Sequence, residues 1–223
     1  MNNPLSGLYV ITDPILTPPN TVVEQVAAAL RGGARIIQFR DKSQDFDRRR
    51  QQAHQLRQLT REHKALLIIN DDVELCQECD ADGVHLGQDD IDLPMARAAL
   101  GPDYLIGATC HGSLELARQA LDESADYLAF GRFFPSQTKP DAPPASLDEI
   151  REFILRCPVP AVAIGGINLN NAAPLIQAGF QMVAVVQDVF GQPGLADIEA
   201  QCRRYADLFL SLAPEQILAD TFS

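Results

Sequence analysis

The sequence predicts a single α/β domain closed into a (β/α)8 barrel, and two observations carry that reading. Short apolar or β-branched runs alternate eight times with longer stretches of helical pattern, which implies a parallel sheet. The turn after the first run, Thr12-Asp13-Pro14, lacks the G-x-G-x-x-G pattern common in an open doubly wound sheet. The length of 223 residues suits one such barrel, with a core large enough to need no staples.

In chain order, strands are expected at 8–12, 35–40, 65–70, 83–86, 104–109, 127–130, 161–164 and 182–186. The helices that follow them are expected at 22–31, 46–63, 73–79, 94–100, 114–123, 147–156, 170–177 and 197–212. Asn20 and Thr21 are candidate caps for the first helix, and Gly32-Gly33 ends it. Gly101-Pro102 ends the fourth. No domain boundary interrupts 1–223; the core spans about 8–212, and the tail at 213–223 is expected to fray. The segment 135–146, rich in Pro and Ala, is a long loop for a compact barrel, and such loops are usually functional or mobile.

Bulk properties exclude several function classes. No apolar run reaches the roughly 18 residues of a membrane span, and residues 1–7 lack the basic start and apolar stretch of a signal peptide, so a cytoplasmic location is expected. Five scattered cysteines argue for a reducing compartment rather than a disulfide framework. Cys76 and Cys79 form a C-x-x-C pair without a second pair or a histidine cluster, and are read as two small apolar residues on a helix face. A net charge of −12 argues against nucleic acid as a partner. An acidic chain that binds phosphates must gather its cations in one place or recruit a metal.

In a barrel of this kind the active site lies at the C-terminal ends of the strands. Strand two ends in Gln38-Phe39-Arg40-Asp41-Lys42, and alternation puts Gln38, Arg40 and Lys42 on one side, at the barrel mouth. Strand three ends in Asn70-Asp71-Asp72, and strand four runs into Gly87-Gln88-Asp89-Asp90. Strand five ends in Thr109-Cys110-His111, and strand six leads through Arg132 to Ser136-Gln137-Thr138-Lys139. Strand seven ends in Gly165-Gly166 and strand eight in Val186-Gln187. Cations (Arg40, Lys42, Lys139) beside two carboxylates (Asp71, Asp90) are what a Mg²⁺–polyphosphate site needs. Gly165-Gly166 lets a backbone approach an anion closely, as phosphate sites after strands seven and eight often require. Two anionic substrates follow: a magnesium-bound diphosphate near strands two to five and a monophosphate near strands six to eight.

These motifs, in order, resemble thiamine phosphate synthase, a TIM-barrel family. The matching stretches are Tyr9-Val10-Ile11-Thr12-Asp13, Gln38 to Lys42, Ile69-Asn70-Asp71, Asp82 to Asp90, Thr138-Lys139 and Ala163 to Ile167. The resemblance implies that Gln38, Phe39, Arg40, Asp41, Lys42, Asn70, Thr109 and Lys139 bind a pyrimidine diphosphate. It implies that Asp71 and Asp90 hold one Mg²⁺, and that Ser136, Gln137, Thr138, Gly166, Val186 and Gln187 bind a thiazole phosphate. Arg40, Lys42 and Lys139 would be the catalytic cations, and the product would be thiamine monophosphate. The chain departs from the commoner pattern in four places: Thr109 for serine, Ser136 for threonine, Arg132 for proline and Gln187 for serine. The expected partners are these small molecules; members of such barrels often self-associate, so a homo-oligomer is compatible.

Bland readings stand beside these. Asp71 is also a candidate cap for the next helix, Asp72 and Asp89 are read as solvated neighbours, and Arg40 and Lys42 could pair with Asp41 or Asp45. His85 is read as a hydrogen-bonded structural residue, whereas His111 stays open, because thiazole-tautomerising relatives carry a histidine in a similar place. Three alternatives are weighed: a thiazole tautomerase has no use for a magnesium–diphosphate site, a silent barrel binding thiamine precursors or a protein partner would have lost the rim carboxylates or lysines, and a sugar-phosphate isomerase leaves the paired aspartates unexplained.

Overall fold

In the computed structural model, residues 4–135 and 144–212 are described. Eight parallel strands close in sequence order: β1 (Gly7–Ile11), β2 (Ile36–Phe39), β3 (Leu66–Asn70), β4 (Gly83–Leu86), β5 (Leu105–His111), β6 (Tyr127–Phe130), β7 (Ala161–Ile164) and β8 (Met182–Val185). β8 returns to β1 with Leu8 against Val183, which removes both sheet edges. Around them run α1 (Val22–Arg31), α2 (Phe46–Glu62), α3 (Val73–Glu78), α4 (Leu93–Leu100), α5 (Leu114–Asp122), α6 (Leu147–Ile154), α7 (Ala172–Gln177), α8 (Gln187–Phe190) and α9 (Leu195–Leu212). The barrel predicted from the sequence is therefore present, with element ends shifted by one or two residues. One element was not foreseen: α8 is a single turn, too short to leave a periodic pattern, and it begins at Gln187.

The strands alternate between two packed layers. Inward side chains of Tyr9, Ile11, Ile36, Ile68, Tyr127, Val162 and Met182 fill the barrel, while Leu8, Val10, Ile37, Leu67, Leu128 and Val183 face the helices. Both faces are thus dry, as parallel sheets require. Cys76 and Cys79 belong to the outer layer, where burial pushes their thiols up to about 12 and about 11. They behave as small apolar residues rather than as thiolates.

The N-terminal end of the barrel is closed by a repeated device. Asp82, Asp126 and Gln181 immediately precede β4, β6 and β8. Each side chain accepts a backbone N–H from the strand before: Leu67 at 2.7 Å, Ile106 at 2.7 Å and Ala161 at 2.8 Å. Asp82 also takes Arg57 from α2 at 2.6 Å, and Asp126 takes Arg97 from α4 at 2.5 Å. Acid, arginine and strand backbone tie helix to sheet in both cases.

Candidate active site

The C-terminal ends of the strands surround a cavity of about 740 Å³. β2 contributes Gln38 and the positions after it, Arg40 and Lys42. Alternation turns Phe39 and Asp41 away, and their side chains do not line the cavity. Phe39 packs in the outer layer, and the Asp41 carboxylate accepts Ser43 N at 2.7 Å and lies 3.6 Å from Arg48. Asp45 also meets Arg48, at 3.2 Å. Arg40 and Lys42 are thereby left for the mouth; the Arg40 guanidinium has no ion-pair partner among the described residues.

The acids come next. β3 ends at Asn70, and Asp71 turns off the strand in the left-handed region at φ 65, a conformation that aspartate tolerates better than most residues. Its N–H donates to His85 O at 2.9 Å, which ties the turn to β4. The cap of α3 is Asp72, not Asp71: the Asp72 carboxylate accepts Leu75 N at 2.9 Å and pairs with Arg49 at 2.6 Å. Asp72 is thus a structural residue rather than a solvated neighbour, and Asp71 is released to face the cavity. There Asp71 pairs with Lys42 and lies in hydrogen-bond contact with Asp90. Asp90 is oriented by Gly87 N, which donates to it at 2.7 Å.

The two carboxyls are driven apart electrostatically. Burial pushes Asp71 up, but the Lys42 ammonium and the hydrogen bond with Asp90 outweigh it and hold Asp71 below the ordinary carboxylate range. Burial, reinforced by the adjacent Asp71 carboxylate, pushes Asp90 above that range. Among the described residues the Lys42 ammonium pairs with Asp71, and only its longer-range charge reaches Asp90. Among the described residues no cluster of three or more His, Cys, Asp or Glu side chains forms. A cation at this point therefore meets two carboxylates, the number that Mg²⁺ commonly takes from protein.

The remaining wall comes from β5 to β8. Thr109 and His111 line it from β5, and His111 adopts φ 49 beside a register shift in the β5–β6 pairing. Gly165 and Gly166 line it with φ 101 and 64. A Cβ on Gly165 would lie 2.2 Å from the Arg132 Cβ, and one on Gly166 would lie 2.3 Å from Pro135 O. The pair is thus a tight turn packed under the loop after β6, and it also presents bare backbone to the cavity. Val186 and Gln187 line the wall where α8 starts, with Arg132 opposite in the loop after β6. Ser136, Gln137, Thr138 and Lys139 lie outside the described residues. Sequence reasoning missed the lining residues Asn168, Asp188 and Gln192. Asp188 accepts from Tyr205 Oη at 2.7 Å and Gln201 Nε2 at 2.8 Å, so α8 is anchored to α9; nothing local in the sequence marks that contact.

Known proteins resemble this chain over most of its length. A family model described as thiamine monophosphate synthase matches residues 8–189. The thiamine-phosphate synthase of Alcanivorax borkumensis is 50% identical over 205 residues, covering 92% of this chain and 94% of that protein. Its counterpart in Marinobacter nauticus is 52% identical over 200 residues, covering 89% of each. The structure of thiamine phosphate pyrophosphorylase from Pyrococcus furiosus superposes with a TM-score of 0.85 at 37% identity, covering 95% of this chain and 98% of that one. With a matched span that runs from the first strand to the helix after the eighth, this chain is an enzyme of the thiamine monophosphate synthase family, a family of transferases.

Proposed function

We propose that the protein joins the methylene carbon of a pyrimidine diphosphate to the ring nitrogen of a thiazole phosphate, with Mg²⁺ at Asp71 and Asp90. The products are thiamine monophosphate and diphosphate. The observation that supports this best is the meeting of Asp71, Asp90 and Lys42 at one point of the rim, beside Arg40, which has no ion pair among the described residues. The donor set fits the ion: two hard carboxylates of intermediate burial at an open mouth, with charge to spare. When bound, Mg²⁺ would offset the negative charge of the diphosphate.

The chain's own residues have separate tasks. Arg40 and Lys42 bind diphosphate oxygens and favour departure of the leaving group, and Lys139 is assigned the same role from the resemblance. As the carbon–oxygen bond breaks, its electron pair leaves on the diphosphate. The thiazole nitrogen lone pair then forms the carbon–nitrogen bond, and the pyrimidine amino group supplies electron density meanwhile. No proton has to be abstracted, so the protein contributes charge and alignment rather than a general base. Gly166, Val186 and Gln187, with Ser136 to Thr138, are assigned to the thiazole phosphate. The side chain of Gln187 stands where the family commonly has a shorter hydroxyl, so backbone N–H groups carry that contact.

The test is diphosphate release measured with each substrate alone, with both, and with both plus EDTA. Release that requires both substrates and returns when Mg²⁺ is added back is the expected result. Turnover of a thiazole alone, indifferent to EDTA, would overturn it in favour of a tautomerase.

A further inference from the structure

A hydrogen-bonded chain crosses the barrel interior beneath the cavity. Gln38 Nε2 donates to Tyr9 Oη at 2.7 Å, and Tyr9 Oη lies 3.0 Å from Tyr127 Oη. Tyr127 Oη lies 3.1 Å from His85 Nδ1, and His85 Nε2 lies 3.0 Å from Thr109 Oγ1. His85, Gly107 and Tyr127 are register partners on three adjacent strands. A Cβ on Gly107 would fall 2.0 Å from the Tyr127 ring, so the glycine opens the space through which Tyr127 reaches His85.

Counting protons gives this chain a direction. Tyr9 and Tyr127 are fully buried, and burial pushes both phenols far above their ordinary value, so each keeps its single proton. Tyr9 already accepts from Gln38; its proton has one remaining acceptor, Tyr127. The Tyr127 proton then goes to His85 Nδ1, because a buried hydroxyl left undonated is costly. His85 is thereby set as the Nε2–H tautomer and donates to Thr109. Thr109 Oγ1 makes no other hydrogen bond among the described residues, and Thr109 lines the cavity. Its own proton is left pointing to the ligand.

We propose that Tyr9, Tyr127 and His85 are positioning residues that fix Thr109 as a hydrogen-bond donor toward a lone pair of the bound pyrimidine substrate. The proposal rests on the functional reading above only for the identity of that substrate. It makes the hydroxyl's polarity, rather than its mere presence, the property the barrel interior is built to supply.

Long-range ¹H–¹⁵N correlation spectra of the ligand-free protein, with His85 assigned by its loss in His85→Asn, read the tautomer directly. The expected result is an Nε2–H imidazole in the parent, and Nδ1–H or a mixture in Tyr127→Phe. Nδ1–H in the parent, or no change in Tyr127→Phe, would overturn the proposal; Tyr9→Phe, which frees Tyr127 to reorient, replaces a Tyr127→Phe protein that fails to fold. In kinetics, Thr109→Val is expected to lower kcat/KM about tenfold while Thr109→Ser stays within about twofold. Tyr127→Phe is expected to lower it about fivefold in the parent and to add almost nothing in the Thr109→Val background. A full multiplicative loss in the double variant would mark Tyr127 as merely structural. The spectrum is taken without substrate, so it decides the chain's direction even where the proposed reaction fails.

Discussion

The two ends of the barrel treat carboxylates in opposite ways. At the N-terminal end, Asp82 and Asp126 each have a private arginine and a backbone N–H, so every charge is matched within the fold. At the C-terminal end, Asp71 and Asp90 face each other and Lys42 pairs with Asp71 alone, while Arg40 stands without an ion pair among the described residues. Closed circuits fasten helix to strand; the open one leaves Arg40 and Asp90 without an ion-pair partner among the described residues. The backbone does not share this contrast: left-handed residues occur at both ends, Asp71 and His111 at the mouth and Lys64, Asp80 and Ser124 just before β3, β4 and β6.

Removing a mouth acid is the strongest way to break this contrast. Asp90→Ala is expected to lower kcat about a hundredfold or more, measured by steady-state diphosphate release. A loss under twofold would strip the mouth of its special standing. The complementary change, Asp82→Ala, is expected to reduce stability by about 2–3 kcal/mol in denaturant unfolding, because Arg57 and Leu67 N lose their acceptor, with kcat within about twofold. A comparable fall in kcat would show that the lower end also serves the chemistry.

A finer test concerns Asp90→Asn. The Asp90 pKa is raised in the fold by burial and by the Asp71 carboxylate. An acid with a raised folded pKa lends stability at low pH and loses it as pH rises through that value, so at neutral pH its ionised form weakens the fold. Asp90→Asn should therefore raise Tm of the metal-free protein while activity collapses, as seen by calorimetry and assay together. A lowered Tm would mean that Asp90 is held as firmly as the lower acids. The smallest effect is expected far from both ends: Arg31→Ala breaks an exposed pair with Glu199, 2.9 Å long, and should change stability by less than about 1 kcal/mol.

Much of this was legible before any coordinates. The eight alternations were enough for the barrel, and the parity of Gln38, Arg40 and Lys42 placed those side chains in the mouth. The same parity turns Phe39 and Asp41 outward, although the motif they belong to suggested substrate contact for all five residues. Choosing between Asp71 and Asp72 as the α3 cap was beyond the sequence, since either aspartate can cap and a single left-handed φ decides it.

By itself the sequence determined the fold class, the end of the barrel where the polar motifs gather, and the family, because strand period and motif order are local properties of the chain. Only the tertiary structure decided which charges meet: that Lys42 joins Asp71, that Arg48 takes Asp41 and Asp45, and that Tyr127 reaches His85 across the glycine at 107. Those pairings depend on barrel register and closure. These bring residues far apart in the chain within hydrogen-bond reach, and no short window of sequence encodes that.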